Sequence, residues 1–133
     1  MKKDIDFGKV EGIYVSIARE EIDNTHVWKV FLINENNFEI NNVLINSKGY
    51  GTKDGEAQKT STLRHFIELI PANSVAPIET IQPDVFHLNN EYWVSYYANE
   101  KLFDKKFIFV PDSIVEANIQ YIPQLDMEGV LHS

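Results

Sequence analysis

The sequence contains no cysteine, and this absence excludes several kinds of chemistry at once. A disulfide scaffold, a thiol nucleophile and a cysteine-ligated metal are all ruled out. Arginine is scarce as well, since Arg19 and Arg64 are the two in the chain. No apolar run approaches the length of about 20 residues that a membrane-spanning helix needs.

Basic residues are outnumbered by acidic ones, 12 to 20, so the formal net charge is −8. Nucleic-acid affinity depends mainly on neutralising phosphates with Lys and Arg, and an anionic membrane surface repels an acidic protein. We therefore predict no nucleic-acid partner and no membrane partner. The first ten residues, MKKDIDFGKV, place Asp4 and Asp6 where a secretory signal needs an apolar segment, which predicts a cytoplasmic protein.

Apolar residues recur with a period of two along most of the chain, which is typical of β-strands. The run HVWKVFLIN is apolar on both faces, so we predict a central strand there, in a series of three strands joined by hairpins. VAPIETI carries Pro77 in its interior, which predicts an edge strand or a bulge. Seven such runs predict one domain, residues 1–133, folded as an antiparallel β-sandwich of immunoglobulin-like architecture. A barrel is the nearest alternative.

The C-terminal segment, residues 112–133, has a different pattern. Ser113 is followed three residues later by Glu116, which is the spacing of a capping box. Apolar residues then recur at helical spacing, namely Val115, Ile119 and Ile122. We predict a helix of about two turns that ends at Pro123, followed by an extended tail that packs on the sheets.

A glycine-rich stretch, SKGYGTKDGEAQKTSTLRHF, raises the possibility of a phosphate-binding loop. Such a loop needs Gly, four residues, then Gly-Lys-Ser or Gly-Lys-Thr, and a helix must follow it. Gly49, Gly51 and Gly55 do not have this spacing, and the run that follows alternates like a strand. We predict a long, mobile, exposed loop from about residue 47 to 61 that binds no nucleotide.

Candidate catalytic groups are few. His65 shares a strand face with Leu63 and Ile67, which favours a buried or half-buried structural histidine. Ser61 lies about 13 Å from it along the same strand, so the two do not form a nucleophile–base pair. The acidic turn around Asp23 lacks the spacing of a known metal motif, and we predict neither a metal nor a cofactor.

The aromatic run EYWVSYY is the most informative remaining feature. Trp93 and Tyr97 fall on one face of this strand, and Tyr92, Val94 and Tyr96 fall on the other. The first face is either covered, by the C-terminal helix or by a second copy of the chain, or open as a platform for a sugar. We predict a covered face. The candidate ligand or interface residues are Trp93, Tyr97, Arg64 and His65.

Three stretches, SKGYG, KTSTLRH and LNNEYWVSYYANEKLFDKKFIFV, resemble those of a family of small uncharacterised bacterial proteins, over nearly the whole chain. Members of that family sometimes carry the label phenylalanyl-tRNA synthetase alpha subunit. A class II synthetase core needs a large antiparallel sheet with ATP-binding arginines, and this chain has two arginines in 133 residues. The resemblance therefore implies a small bacterial protein and transfers no catalytic residue.

These observations predict a non-enzymatic interaction module that binds a partner protein or forms a homodimer. The alternative is a β-sandwich that binds a small molecule or a carbohydrate, possibly as an enzyme, on its aromatic face.

Overall fold

Residues 8–133 are described by a computed structural model, and they form ten strands in two antiparallel sheets. In chain order the strands are β1 (Ile13–Ile22), β2 (Thr25–Asn34), β3 (Ile40–Lys53), β4 (Glu56–Lys59), β5 (Leu63–Ile70), β6 (Ser74–Thr80), β7 (Asn89–Ala98), β8 (Lys101–Phe109), β9 (Gln120–Ile122) and β10 (Met127–His132). The expectation of a mainly β protein is confirmed, but the expectation of seven strands is wrong for the described residues. Most of the segment used to predict the lack of a secretory signal lies outside them.

The strand order in sheet A is β6-β2-β1-β10-β9. In sheet B, β3 pairs on one side with β7, which pairs with β8; β4 and β5 pair with β3 as well, at different parts of its length. Apolar residues of both sheets meet in one hydrophobic core, which includes Ile17 and Val30 from sheet A and Val94 and Phe107 from sheet B. Burying side chains of this size contributes roughly 1.5–3 kcal/mol each.

Two-residue turns close three of the hairpins, and both residues of each turn have positive φ. They are Asp23-Asn24 between β1 and β2, Asp54-Gly55 between β3 and β4, and Asn99-Glu100 between β7 and β8. Positive φ at both positions is the geometry of the type I′ turn, whose twist matches that of the flanking strands. The glycine-rich stretch is therefore a hairpin of β3 and β4, and the prediction of a long loop over residues 47–61 is wrong.

The link between β2 and β3 is a crossover to the other sheet, although the sequence predicts a hairpin there. Asn34 organises it, since its Nδ2 donates to the carbonyl oxygens of Phe38 and Pro71, both at 3.0 Å. Its Oδ1 accepts from the backbone N–H of Asn36 at 3.0 Å. These bonds satisfy a buried amide side chain and direct the chain away from sheet A.

The prediction of an edge strand or a bulge at Pro77 is confirmed. This strand, β6, lies at the edge of sheet A, and its pairing with β2 shifts register opposite Val30 and Phe31. Proline lacks the N–H that a central strand would need, so an edge with a bulge accommodates it.

The predicted C-terminal helix is wrong. Residues 112–133 contain one 3₁₀ turn, Glu116–Asn118, and the strands β9 and β10. Ser113 donates its hydroxyl to the carbonyl oxygen of Val110 at 2.6 Å and caps no helix. Strand β10 pairs with β1, whose backbone groups would otherwise lie at an open sheet edge.

A glycine permits the close approach of β10 to β1. A Cβ atom at Gly129 would lie 2.4 Å from the carbonyl oxygen of Ile17, so any other residue would push the strands apart. Just before β10, Ile122 at the end of β9 is 1% exposed, so the C-terminal segment belongs to the folded body. Within residues 8–133, no helix has the length and apolar character required to cross a membrane.

Candidate functional site

Two polar clusters lie on opposite faces of sheet B. The inner cluster faces sheet A and consists of Ser47, His65, Glu79 and Tyr92. The outer cleft opens on the other face and is lined by Asn46, Lys48, Thr62, Arg64, Glu91 and Trp93.

The inner cluster is centred on the carboxylate of Glu79, which comes from sheet A. Its Oε1 accepts a hydrogen bond from Ser47 Oγ at 2.9 Å and lies 2.7 Å from His65 Nε2. Its Oε2 accepts from Tyr92 Oη at 3.0 Å. Because the three partners lie on β3, β5 and β7, one side chain of β6 ties sheet A to three strands of sheet B.

Burial strengthens this arrangement. The Glu79 side chain is 13% exposed and that of His65 is 26% exposed. Burial, followed by the negative charge of Glu79 and the hydrogen bond to it, raises the pKa of Tyr92 well above its usual value. Tyr92 therefore remains a neutral phenol that donates to the carboxylate throughout the physiological range.

The inner cluster contains a serine, a histidine and a carboxylate, but it does not have the geometry of a catalytic triad. In a triad the histidine lies between the nucleophile and the acid and accepts the serine proton. Here Glu79 lies between Ser47 and His65, and each of them bonds to the same carboxylate oxygen. A cavity of about 240 Å³ adjoins the cluster. The Glu79 carboxylate is bonded to Ser47, His65 and Tyr92, so these bonds would have to break before it could bind a ligand there.

The sequence did not identify Ser47, Glu79 or Tyr92 as a group. Glu79 lies 32 positions from Ser47 and 13 positions from Tyr92 along the chain, and the three residues are on separate strands. The one local signal is the glutamate of β6, two residues after Pro77 in a short strand whose middle is apolar. Such a signal does not reveal which residues the carboxylate meets.

The outer cleft is built from one row of residues across sheet B. Arg64 pairs with Asn46, Asn46 with Trp93, and Trp93 with Lys106. The indole Nε1 of Trp93 donates to the carboxylate of Asp104, and the Lys106 ammonium lies 4.6 Å from the centre of the indole ring. These contacts hold Trp93 in place while 40% of its surface remains exposed. The cleft has a volume of about 180 Å³.

Polar groups of the outer cleft are incompletely satisfied. Asn46 Oδ1 is buried and accepts no hydrogen bond from any residue in the range 8–133. Within that same part of the chain, the Arg64 guanidinium makes no hydrogen bond and no ion pair. By contrast, the Arg19 guanidinium is held by Glu116 at 2.6 Å and by Glu128 at 3.1 Å. The acid of the cleft, Glu91, accepts a hydrogen bond from Tyr50 Oη at 3.1 Å.

Apolar side chains surround the cleft on the same face. Phe66 pairs with Leu44 in the next row of the sheet, and the two are 63% and 40% exposed. Tyr97 lies further along β7 and is 47% exposed. We call the set Leu44, Arg64, Phe66, Trp93 and Tyr97 the outer face.

The structure separates the four residues that the sequence nominated. Arg64 and Trp93 line the same cleft, and Tyr97 lies on the same face of β7 as Trp93. His65 points the other way and bonds to Glu79. The helix expected to cover Trp93 and Tyr97 does not form, and both side chains are exposed in the part of the chain that the structure describes.

Among residues 8–133, no three His, Asp or Glu side chains are grouped so that they could hold a metal ion. No family model, curated protein or solved structure matches this chain.

Proposed function

We propose that this protein is a non-enzymatic, cytoplasmic interaction module: a β-sandwich that binds another polypeptide through the outer face of sheet B. The observation that carries the proposal is the group of large side chains left open there, above all Phe66 at 63% exposure. Contiguous apolar surface on a folded protein commonly marks an interaction site. We also propose that the protein belongs with the small bacterial proteins that it resembles, and this resemblance assigns no role to any residue.

Composition supports an interface. Aromatic residues and arginine are enriched in the centres of protein interfaces and supply most binding hot spots. The outer face combines Phe66, Trp93 and Tyr97 with one of the two arginines of the chain. The Trp93 ring is restrained by Asp104 and Lys106, so this side chain loses little conformational freedom on binding.

A second copy of the chain is one partner that this face would fit. In a homodimer with two-fold symmetry, a single patch covers itself on both subunits, and this is the commonest symmetric assembly. Sedimentation equilibrium at micromolar concentration tests it. We expect association that weakens in Phe66→Ser and persists in Val110→Ser, a control whose side chain is also apolar and more than half exposed but lies outside the outer face. A chain that stays monomeric and also selects no peptide ligand would contradict the proposed function.

The outer cleft favours a second candidate function, the binding of a small molecule or a carbohydrate. The buried Asn46 Oδ1 lacks a donor within the described residues and lies beside a tryptophan, the pairing that a sugar hydroxyl and a sugar ring would use. One face of the Trp93 ring already meets Lys106, which leaves less room for stacking. Binding to a glycan array that disappears in Trp93→Ala would support this candidate over the first.

A further inference from the structure

The interface proposed above would need a partner of particular chemistry, and the charges on the outer face indicate which. Resting on that proposed function, we infer that the outer face recognises an acidic segment of a polypeptide. A carboxylate of the segment binds Arg64, and a nearby apolar side chain packs against Phe66 and Leu44.

The first argument comes from the two arginines. The chain has eight more acidic than basic residues, and Arg19 is engaged by two of them. Arg64 has no carboxylate partner among residues 8–133, although the chain contains 20 acidic residues. A guanidinium binds a carboxylate through two parallel hydrogen bonds, so one carboxylate of a partner would pair with Arg64.

The second argument is the spacing along β5. Arg64 and Phe66 are two residues apart and point to the same side of the strand, about 7 Å from each other. An extended peptide presents its own side chains at the same repeat. A segment in which Asp or Glu lies two positions from a large apolar residue would therefore meet both side chains at once. Glu68, two residues beyond Phe66 and exposed, would repel a carboxylate placed at the opposite end.

The other basic residues of this face narrow the choice of partner. Lys48 lies 3.9 Å from Glu91, and Lys106 lies against the Trp93 ring. Among the described residues, Arg64 is therefore the unengaged cation in this region, and its guanidinium can pair with one carboxylate. Nucleic acids are bound by neutralising several phosphates with Lys and Arg, and a face with one unengaged cation among the described residues does not suit them.

A random-peptide phage-display selection against the full chain tests the inference. We expect enrichment of peptides that place Asp or Glu two positions from a large apolar residue. Recovery of these peptides should fall about tenfold on Arg64→Gln, as expected for the loss of a charge-assisted hydrogen bond. The matched control is Lys101→Gln, an exposed cation on the β7–β8 hairpin outside the outer face, which should leave recovery unchanged.

Charge reversal provides a gain-of-function readout. A library selected against Arg64→Glu should enrich Lys or Arg at the position where the wild type enriches acids. This result would not follow from a structural role of Arg64, because the variant must fold and bind to give it.

The outcomes separate this inference from the proposed function. Enriched peptides that lack acids, but lose binding in Phe66→Ser, would overturn the acidic partner and leave the interaction module intact. Peptides whose recovery is unaffected by Phe66→Ser would overturn both. A selection without enrichment would overturn the inference, and glycan binding that depends on Trp93 would replace both with the carbohydrate function.

Discussion

The inner cluster and the outer cleft use adjacent residues of the same three strands. Ser47 follows Asn46 on β3, His65 follows Arg64 on β5, and Trp93 follows Tyr92 on β7. Because side chains alternate across a strand, each pair sends one member to either face of sheet B. The inner members all bond to Glu79. The outer members share no such centre, and Asn46 and Arg64 have hydrogen-bonding groups without a partner in residues 8–133.

This difference distinguishes stability from binding. A polar group whose bonds are completed within the chain contributes to the folded state and offers little to a ligand. A polar group without a partner contributes nothing to folding through that bond, or weakens it, and is available to a ligand. We therefore assign stability to the inner cluster and binding to the outer face, although the inner cluster has the residue types of a catalytic site.

The largest expected effect is that of removing the Glu79 carboxylate. In Glu79→Ala the donors of Ser47, His65 and Tyr92 lose a shared acceptor at a mostly buried position. We expect the free energy of unfolding to fall by about 3 kcal/mol. Urea denaturation measures it, with Glu68→Ala, an exposed acid on β5, as the control that should change by no more than about 0.5 kcal/mol. Equal effects of the two substitutions would show that the inner cluster has no special role in stability.

A substitution at Asn46 should act in the opposite direction. Its buried Oδ1 lacks a donor among the described residues, and an unsatisfied buried acceptor costs free energy in the folded state. Asn46→Val removes that acceptor and places a strand-favouring residue on β3, so we expect the free energy of unfolding to rise by about 1 kcal/mol. Calorimetry would show this as a higher Tm. A lower Tm would mean that the amide is satisfied in solution and that the comparison is wrong.

The pH dependence of stability should distinguish Tyr92 from other tyrosines. Its pKa is raised above 10.0 by burial and by the charge of Glu79, so the folded state favours the neutral phenol. This contribution is complete below pH 10 and is lost as the pH rises through the raised value.

Urea denaturation over a series of alkaline pH values measures that loss. We expect a shallower decline of stability above pH 10 in Tyr92→Phe than in the wild type, because one such group is removed. Burial also raises the pKa of Tyr96 to about 12. Tyr96 is present in both proteins, so it affects both stability curves equally. Parallel curves would contradict the coupling of Tyr92 to folding.

The smallest effect on stability is expected at the outer face itself. Arg64→Gln removes a side chain without partners in residues 8–133, so the free energy of unfolding should stay within about 0.5 kcal/mol of the wild type. The same substitution is expected to lower the recovery of acidic peptides about tenfold. A large loss of stability would show that Arg64 serves the fold and would remove the main support for a binding role.

Several features followed from local patterns. The hairpin turn at Asp23-Asn24 and the edge position of Pro77 both depend on one or two residues whose backbone preferences are strong. The opposite orientation of Trp93 and Tyr92 follows from strand alternation alone. Other features did not follow. Ser113 and Glu116 have the spacing of a helix start, but the segment forms one 3₁₀ turn, Glu116–Asn118, and then strand β9, whose backbone pairs with β10.

By itself, the sequence determined that the protein is mainly β, where several turns fall, which neighbouring side chains point in opposite directions, and that thiol chemistry is absent. These properties depend on residue types and on alternation over a few positions. The tertiary structure alone decided that Glu79 meets Ser47, His65 and Tyr92, that β2 and β3 belong to different sheets, and that no element among the described residues covers Trp93. Each of these depends on contacts between residues distant in the chain, and such contacts are set by packing and leave no periodic signal in the sequence.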